Sequence, residues 1–145
     1  MKRTRSLIKL SHEHNAGLML ALGLKKNAPK LTIMPDDAAG KAEYAVNFYH
    51  TELLPHFREE EEILFPFISG RSNDIDKLIP DLINDHTRLR ELFGSIEKDT
   101  ATADDLADIG DLLRVHIRKE ERYLFELIQQ HFSDEELESI LSKHE

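Results

Sequence analysis

The chain has 145 residues, a formal net charge of −9 and no cysteine. That length fits one domain able to bury a core without covalent staples. The missing thiols exclude disulfides, thiolate metal sites, iron–sulfur ligation by this chain and cysteine nucleophiles, and the acid excess argues against nucleic acid or an anionic membrane as partner.

Lys2, Arg3, Arg5 and Lys9 give a basic start, but the apolar run Gly17 to Leu24 follows His12, Glu13 and His14 and no cleavage-like pattern comes after it. No stretch reaches the roughly eighteen apolar residues of a membrane span, so a soluble cytoplasmic protein is expected. From Ser6 to about Lys26, Leu7, Leu10, Leu18, Ala21 and Leu24 recur with a helical period, and Asn27-Ala28-Pro29 ends this first helix. The segment from Lys30 to Gly40 reads as a connection or a short helical turn.

A second helix is expected from about Lys41 to Ile68, with an inner stripe of Tyr49, Leu53, His56, Glu60, Ile63, Leu64 and Phe67. Pro55 inside it predicts a kink just before His56, and Pro66 marks its fraying end. Ser72 is a plausible N-cap for a third helix running to about Lys98, with Pro80 near its start and a stripe of Ile79, Leu82, Ile83, His86, Leu89, Phe93 and Ile96. Thr102-Ala103-Asp104-Asp105 opens a fourth helix with the stripe Ile109, Leu112, Leu113, His116, Glu120, Tyr123, Leu124 and Leu127, in which Tyr123, like Tyr49, reads as core packing. Ser133-Asp134-Glu135-Glu136 fits a capping box for a short C-terminal helix to about Lys143. No stretch alternates with period two, so the expected fold is all-α: an up-and-down four-helix bundle, core about 6–130, forming a single domain over 1–145.

His56-Phe57-Arg58-Glu59-Glu60-Glu61-Glu62-Ile63-Leu64-Phe65 recurs as His116-Ile117-Arg118-Lys119-Glu120-Glu121-Arg122-Tyr123-Leu124-Phe125. In each copy a carboxylate follows an imidazole by four residues, which stacks the two one turn apart on one helix face. Lys119 stands where the first copy has Glu59, so Glu60 and Glu120 are taken as the pair, and Glu59, Glu61 and Glu62 are left to solvent. His14, His56, His86 and His116 lie on inner stripes, one per long helix, while His50, His131 and His144 read as surface residues. His14 is preferred to His12 because its stripe is the more apolar one and because Leu10-Ser11-His12-Glu13-His14 aligns with Leu82-Ile83-Asn84-Asp85-His86.

Counted at about 1.5 Å per residue from the connections, the four imidazoles of an antiparallel bundle fall within about two turns of one level. Two carboxylates buried beside them repel one another unless cations are present. The expected metal set is therefore His14, His56, Glu60, His86, His116 and Glu120, binding two metal ions. Six N/O donors without thiolate exceed a closed zinc site and suit two irons bridged by the glutamates, with manganese next and zinc after it. The sequence leaves open which imidazoles share an ion and whether Glu59, Arg90 or His12 contributes. Glu13 and Asp85 are read as surface acids, with a role beside the ligands as the other option.

His14, His56-x3-Glu60, His86 and His116-x3-Glu120 together resemble the hemerythrin-like HHE cation-binding family, over nearly the whole chain to about Gln130. Leu-Ser-His-Glu-His, His-Phe-Arg-Glu-Glu-Glu and His-Ile-Arg-Lys-Glu-Glu are similar to its bacterial members. The resemblance implies a non-heme di-iron centre with an oxo or hydroxo bridge that binds dioxygen or nitric oxide. Oxygen-carrying hemerythrins have a further histidine where this chain has Arg90, and they do not carry His-x3-Glu on both the second and fourth helices. The four-His, two-Glu set is more like the catalytic domain of iron–sulfur-centre repair proteins, whose cysteine-containing N-terminal domain has no counterpart in these residues. The leading expectation is a protein that binds or senses a small diatomic ligand at two irons. The alternatives are a di-iron oxidoreductase or peroxide-handling enzyme, an iron donor for damaged clusters, and a metal-free interaction bundle. Oligomeric state is not legible.

Overall fold

Helix α1 (Ile8–Gly23) follows one 3-10 turn, Arg5–Leu7, in a computed structural model that describes residues 2–141. It is shorter at both ends than the apolar pattern predicts. Helix α2 spans residues 38–68 and begins three residues before the expected Lys41, because the Asp37 side chain caps it by accepting from Gly40 N at 3.3 Å. Helix α3 (Asn73–Lys98) starts at the predicted cap, Ser72 Oγ accepting from Ile75 N at 3.2 Å. Helix α4, residues 103–131, opens on a complete Thr102/Asp105 capping box. Helix α5 (Asp134–Leu141) opens on the expected reciprocal pair, Ser133 N to Glu136 and Glu136 N to Ser133 Oγ. The predicted last turn of α5 to Lys143, and His144, lie outside the described residues. Among the described residues there is no strand, and no helix is long and apolar enough to cross a membrane.

Three π turns interrupt the long helices: Tyr49–Leu53 and Glu60–Leu64 in α2, and Glu120–Leu124 in α4. Each is closed by a backbone N–H reaching five residues back: Leu54 to Tyr49, Phe65 to Glu60 and Phe125 to Glu120. The helix is unbroken at Pro55, and the first π turn widens it just ahead of the proline, at the point where Pro55 has no N–H to give. Pro66 sits just after the second, and the helix continues past it to Ile68.

A π turn inserts one residue and moves everything after it round the helix axis by about a residue's angle. The expected stripes fail by that amount. Past Glu60 the buried residues are Leu64, Phe65 and Ile68 rather than Ile63, Leu64 and Phe67, and past Glu120 they are Leu124, Phe125 and Ile128 rather than Tyr123, Leu124 and Leu127. Tyr123, expected in the core, is 60% exposed. In α3 the stripe holds from Leu82 onward except that Ile83 faces outward and Asp85 is buried.

The core is split into two apolar clusters. One holds Leu20, Leu53, Leu89 and Leu113; the other holds Leu10, Leu64, Leu82 and Leu124. Sequence runs from the second cluster to the first in α1 and α3, and from the first to the second in α2 and α4. The four long helices therefore alternate up, down, up, down. Between the two clusters lies a polar layer.

Candidate metal centre

His14, His56, His86, His116, Glu60 and Glu120 occupy that layer, none more than 4% exposed. His14 and His56 bring their Nε2 atoms to 3.0 Å of each other, and His86 and His116 do so at 3.1 Å. Glu120 Oε1 lies 2.9 Å from His14 Nε2 and 3.2 Å from His116 Nε2. Glu60 Oε1 lies 3.1 Å from His86 Nε2, and its Oε2 lies 3.4 Å from His56 Nε2. Two groups with metal-binding spacing result, His14–His56–Glu60–Glu120 and Glu60–His86–His116–Glu120, each with its donor atoms within 4.8 Å of one another. The pairing left open by the sequence is thus first helix with second and third with fourth, both glutamates belonging to both groups.

The outer ring nitrogens are pinned. Nδ1 of His14 meets Glu121 Oε2 at 2.5 Å, Nδ1 of His56 meets Glu13 Oε1 at 2.9 Å, Nδ1 of His86 meets Glu61 Oε2 at 2.5 Å, and Nδ1 of His116 meets Asp85 Oδ2 at 2.9 Å. A carboxylate only accepts, so each Nδ1–H donates and each Nε2 is left to the interior. Glu61 was expected in solvent and Glu13 and Asp85 on the surface; all three instead hold an imidazole of the next helix, and Glu121 was missed. One signal was present: each of these acids is the immediate neighbour of an inward residue, at 13/14, 60/61, 85/86 and 120/121. Glu59 stands apart and pairs with Lys9 at 3.1 Å, while Arg90 donates to Glu61 at 3.1 Å and not to the inner layer. His12 is exposed, as are His131 and His50, the last paired with Glu97 at 2.5 Å.

The rings are also packed on aromatic faces. Phe57 stacks on His86 with centroids 4.0 Å apart, and Phe125 stacks on His14 at 5.3 Å. Burial pushes the His56 imidazole down, but the Glu60 charge and the Glu13 hydrogen bond outweigh it and lift it to about 9. For His116 the Glu120 charge and Asp85 do the same, also to about 9. Burial raises the Glu60 carboxyl, yet the facing His56 charge holds it well below the usual carboxylate range.

Protons alone leave this layer poorly satisfied. Two Nε2 atoms face each other in each pair, and Glu60 Oε1, Glu60 Oε2 and Glu120 Oε2 are buried without a well-formed hydrogen bond. Each such orphan costs about 1–3 kcal/mol. Nitrogen and oxygen donors converging on two sites, with no thiolate, fit a pair of cations that prefer imidazole and carboxylate.

The model of the hemerythrin HHE cation-binding domain matches residues 5–128. The chain belongs to that family. The HHE match covers all of the polar layer and the four long helices up to Ile128 within α4, leaving out α5. No curated protein and no solved structure matches the chain.

Proposed function

We propose that this chain holds two iron ions, one by His14 and His56 and one by His86 and His116, with Glu60 and Glu120 serving both. We further propose that it binds or senses a small diatomic ligand, dioxygen or nitric oxide, at that pair. The observation that carries the reading is the sharing: both four-donor groups contain the same two carboxylates, and those carboxylates hold the orphaned oxygens. Iron suits six imidazole and carboxylate donors best, manganese next and zinc least.

With four protein donors each, the irons would supply open positions and reversible electron exchange to a small ligand. The chain's own part is to hold and shield. The outer carboxylates fix each imidazole so that Nε2 faces inward. Phe57, Phe65 and Phe125 pack against the rings, and the apolar clusters on either side keep bulk water from the layer.

The test is metal analysis followed by rapid mixing. Protein from iron-supplied cells should contain about two irons per chain, and its reduced form should give a spectral change with dioxygen or nitric oxide that reverses on degassing. A sample well below two metals per chain refutes the pair. Irreversible oxidation, peroxide turnover or loss of iron to an acceptor would instead make the protein an oxidoreductase or an iron donor.

A further inference from the structure

Each carboxylate that fixes an imidazole is itself met by a cation from farther out. Lys9 Nζ lies 3.5 Å from Glu13 Oε2, and Arg90 Nη2 lies 3.1 Å from Glu61 Oε1. Lys119 Nζ lies 2.6 Å from Asp85 Oδ2, and Arg3 Nη2 lies 3.4 Å from Glu121 Oε1. Every inner histidine thus heads its own chain of imidazole, carboxylate and cation.

The internal repeat does not explain the cations. When His14 is laid on His86 and His56 on His116, Glu61 falls on Glu121 and Phe65 on Phe125, but the positive charges do not coincide. Lys9 falls on Asp81, Lys119 on Glu59, Arg90 on Leu18 and Arg3 on Ile75. The two halves place their basic residues at unrelated positions and still bring one to each outer acid. Even the flanking pairs are reversed in sign, Lys9–Glu59 in one half matching Asp81–Lys119 in the other.

The charges give the arrangement a purpose. Glu13, Glu61, Asp85 and Glu121 would add four negative charges directly behind the imidazoles, and each is faced by one cation, although Lys9, Lys119 and Arg3 also serve Glu59, Asp81 and Glu126 farther out. The pairs are part-buried, the cations 18–39% and the acids 11–31% exposed, so their fields are only partly screened at the centre. Uncancelled negative charge favours the more highly charged, oxidised metal and lowers its reduction potential.

We propose that Arg3, Lys9, Arg90 and Lys119 are positioning residues that offset the outer carboxylates, so that less of their negative charge is felt by the metal ions and the reduction potential of the centre is held up. The inference rests on the two-iron reading. It goes beyond that reading in assigning a role to residues that touch no ligand atom.

The experiment uses full-length, iron-loaded protein and the variants Arg90→Gln, Lys119→Gln and Lys9→Gln, with Arg90→Lys as rescue. Lys26→Gln is the control: Lys26 pairs with Asp104, about 18 Å along α4 from His116 at 1.5 Å per residue. Iron content, midpoint potential by spectroelectrochemical titration, and melting temperature after chelation are read in parallel. Each glutamine variant should shift the oxidised-to-reduced ratio at a fixed potential about tenfold toward oxidised, a midpoint about 59 mV lower for a one-electron step. Arg90→Lys and Lys26→Gln should stay at the wild-type value, and the chelated melting temperatures should move little, as for ion pairs still in contact with solvent. If any one glutamine variant fails to fold, the other two decide. Potentials unmoved in loaded variants, or lowered equally in Lys26→Gln, overturn the inference alone. Wild-type protein with well below two irons per chain overturns the two-iron reading and the inference with it.

Discussion

Replacing Glu60 by glutamine discriminates one joint site from two independent ones. The amide has nearly the same volume, so packing is kept and only the charge and one donor oxygen change. Glu60 touches both groups, its Oε1 3.1 Å from His86 Nε2 and its Oε2 3.4 Å from His56 Nε2 and 3.8 Å from His14 Nε2. Both ions would lose an anionic donor, and iron should fall from about two per chain toward none. His86→Gln, by contrast, leaves the group of His14, His56, Glu60 and Glu120 complete, and should keep about one iron. In the chelated protein the change also removes the charge that outweighs burial at His56. Breaking a buried ion pair by removing one partner costs about 3–5 kcal/mol. At about 2–4 °C per kcal/mol for a chain near this size, the melting temperature should drop by roughly 6–20 °C. Elemental analysis and thermal melts with and without chelator measure both effects. A Glu60→Gln protein that still holds two irons per chain refutes the joint site.

Three further outcomes are expected. His14→Ala should lose iron from its own group, whereas His12→Ala and His131→Ala, both changes at exposed positions, should keep the wild-type content; equal losses in elemental analysis would show the donors wrongly assigned. The metal-free protein should lose stability as pH rises. His56 and His116 are lifted from 6.5 to about 9 in the fold, so the folded chain binds more protons than the unfolded one, and the stabilisation is complete below about 6.5 and gone above about 9. Chelated melts that rise over that interval would contradict this, and iron loading near pH 7.5 should release protons, which an indicator dye reads. Finally, a Cβ at Gly110 would lie 3.0 Å from Ala21 O and 3.2 Å from Leu24 Cβ, so Gly110→Val should cost about 1–3 kcal/mol in denaturant titration as α1 is pushed from α4. Its iron content should persist.

The bundle and the six inward residues were legible because helical period and the doubled His-x3-Glu spacing are local properties of sequence. Both could be counted along one helix at a time. The pairing of imidazoles was not legible, because it depends on which helices adjoin. The π turns were hidden for a different reason. Ile63-Leu64-Phe65 and Tyr123-Leu124-Phe125 are apolar throughout, so a stripe slipped by one residue reads as well as the true one, and only the backbone bonds from Phe65 and Phe125 decide the phase. Glu61 was misread because the run Glu59 to Glu62 looks like a solvated face. Glu61 and Glu121 are nevertheless the same residue in both copies, a constancy that the comparison of Glu59 with Lys119 passed over.

The order of outer acid and inward residue along each helix follows from the direction in which that helix runs. The acid precedes the inward residue in α1 and α3, as Glu13 before His14 and Asp85 before His86, and follows it in α2 and α4, as Glu61 after Glu60 and Glu121 after Glu120. One residue is about 100° of rotation in a right-handed helix. Viewed from one end of the bundle, a step backward in an up helix and a step forward in a down helix both turn in the same sense. All four acids are thereby aimed round the bundle in one circulation: α1 to His56 of α2, α2 to His86 of α3, α3 to His116 of α4, and α4 back to His14 of α1. The residues on the opposite flank should aim the other way, and they do. Glu59 of α2 reaches back to Lys9 of α1, and Lys119 of α4 reaches back to Asp81 and Asp85 of α3. The up-and-down topology thus turns one sequence rule, an acid on the correct side of each inward residue, into a closed ring in which every helix orients the inward imidazole of the next.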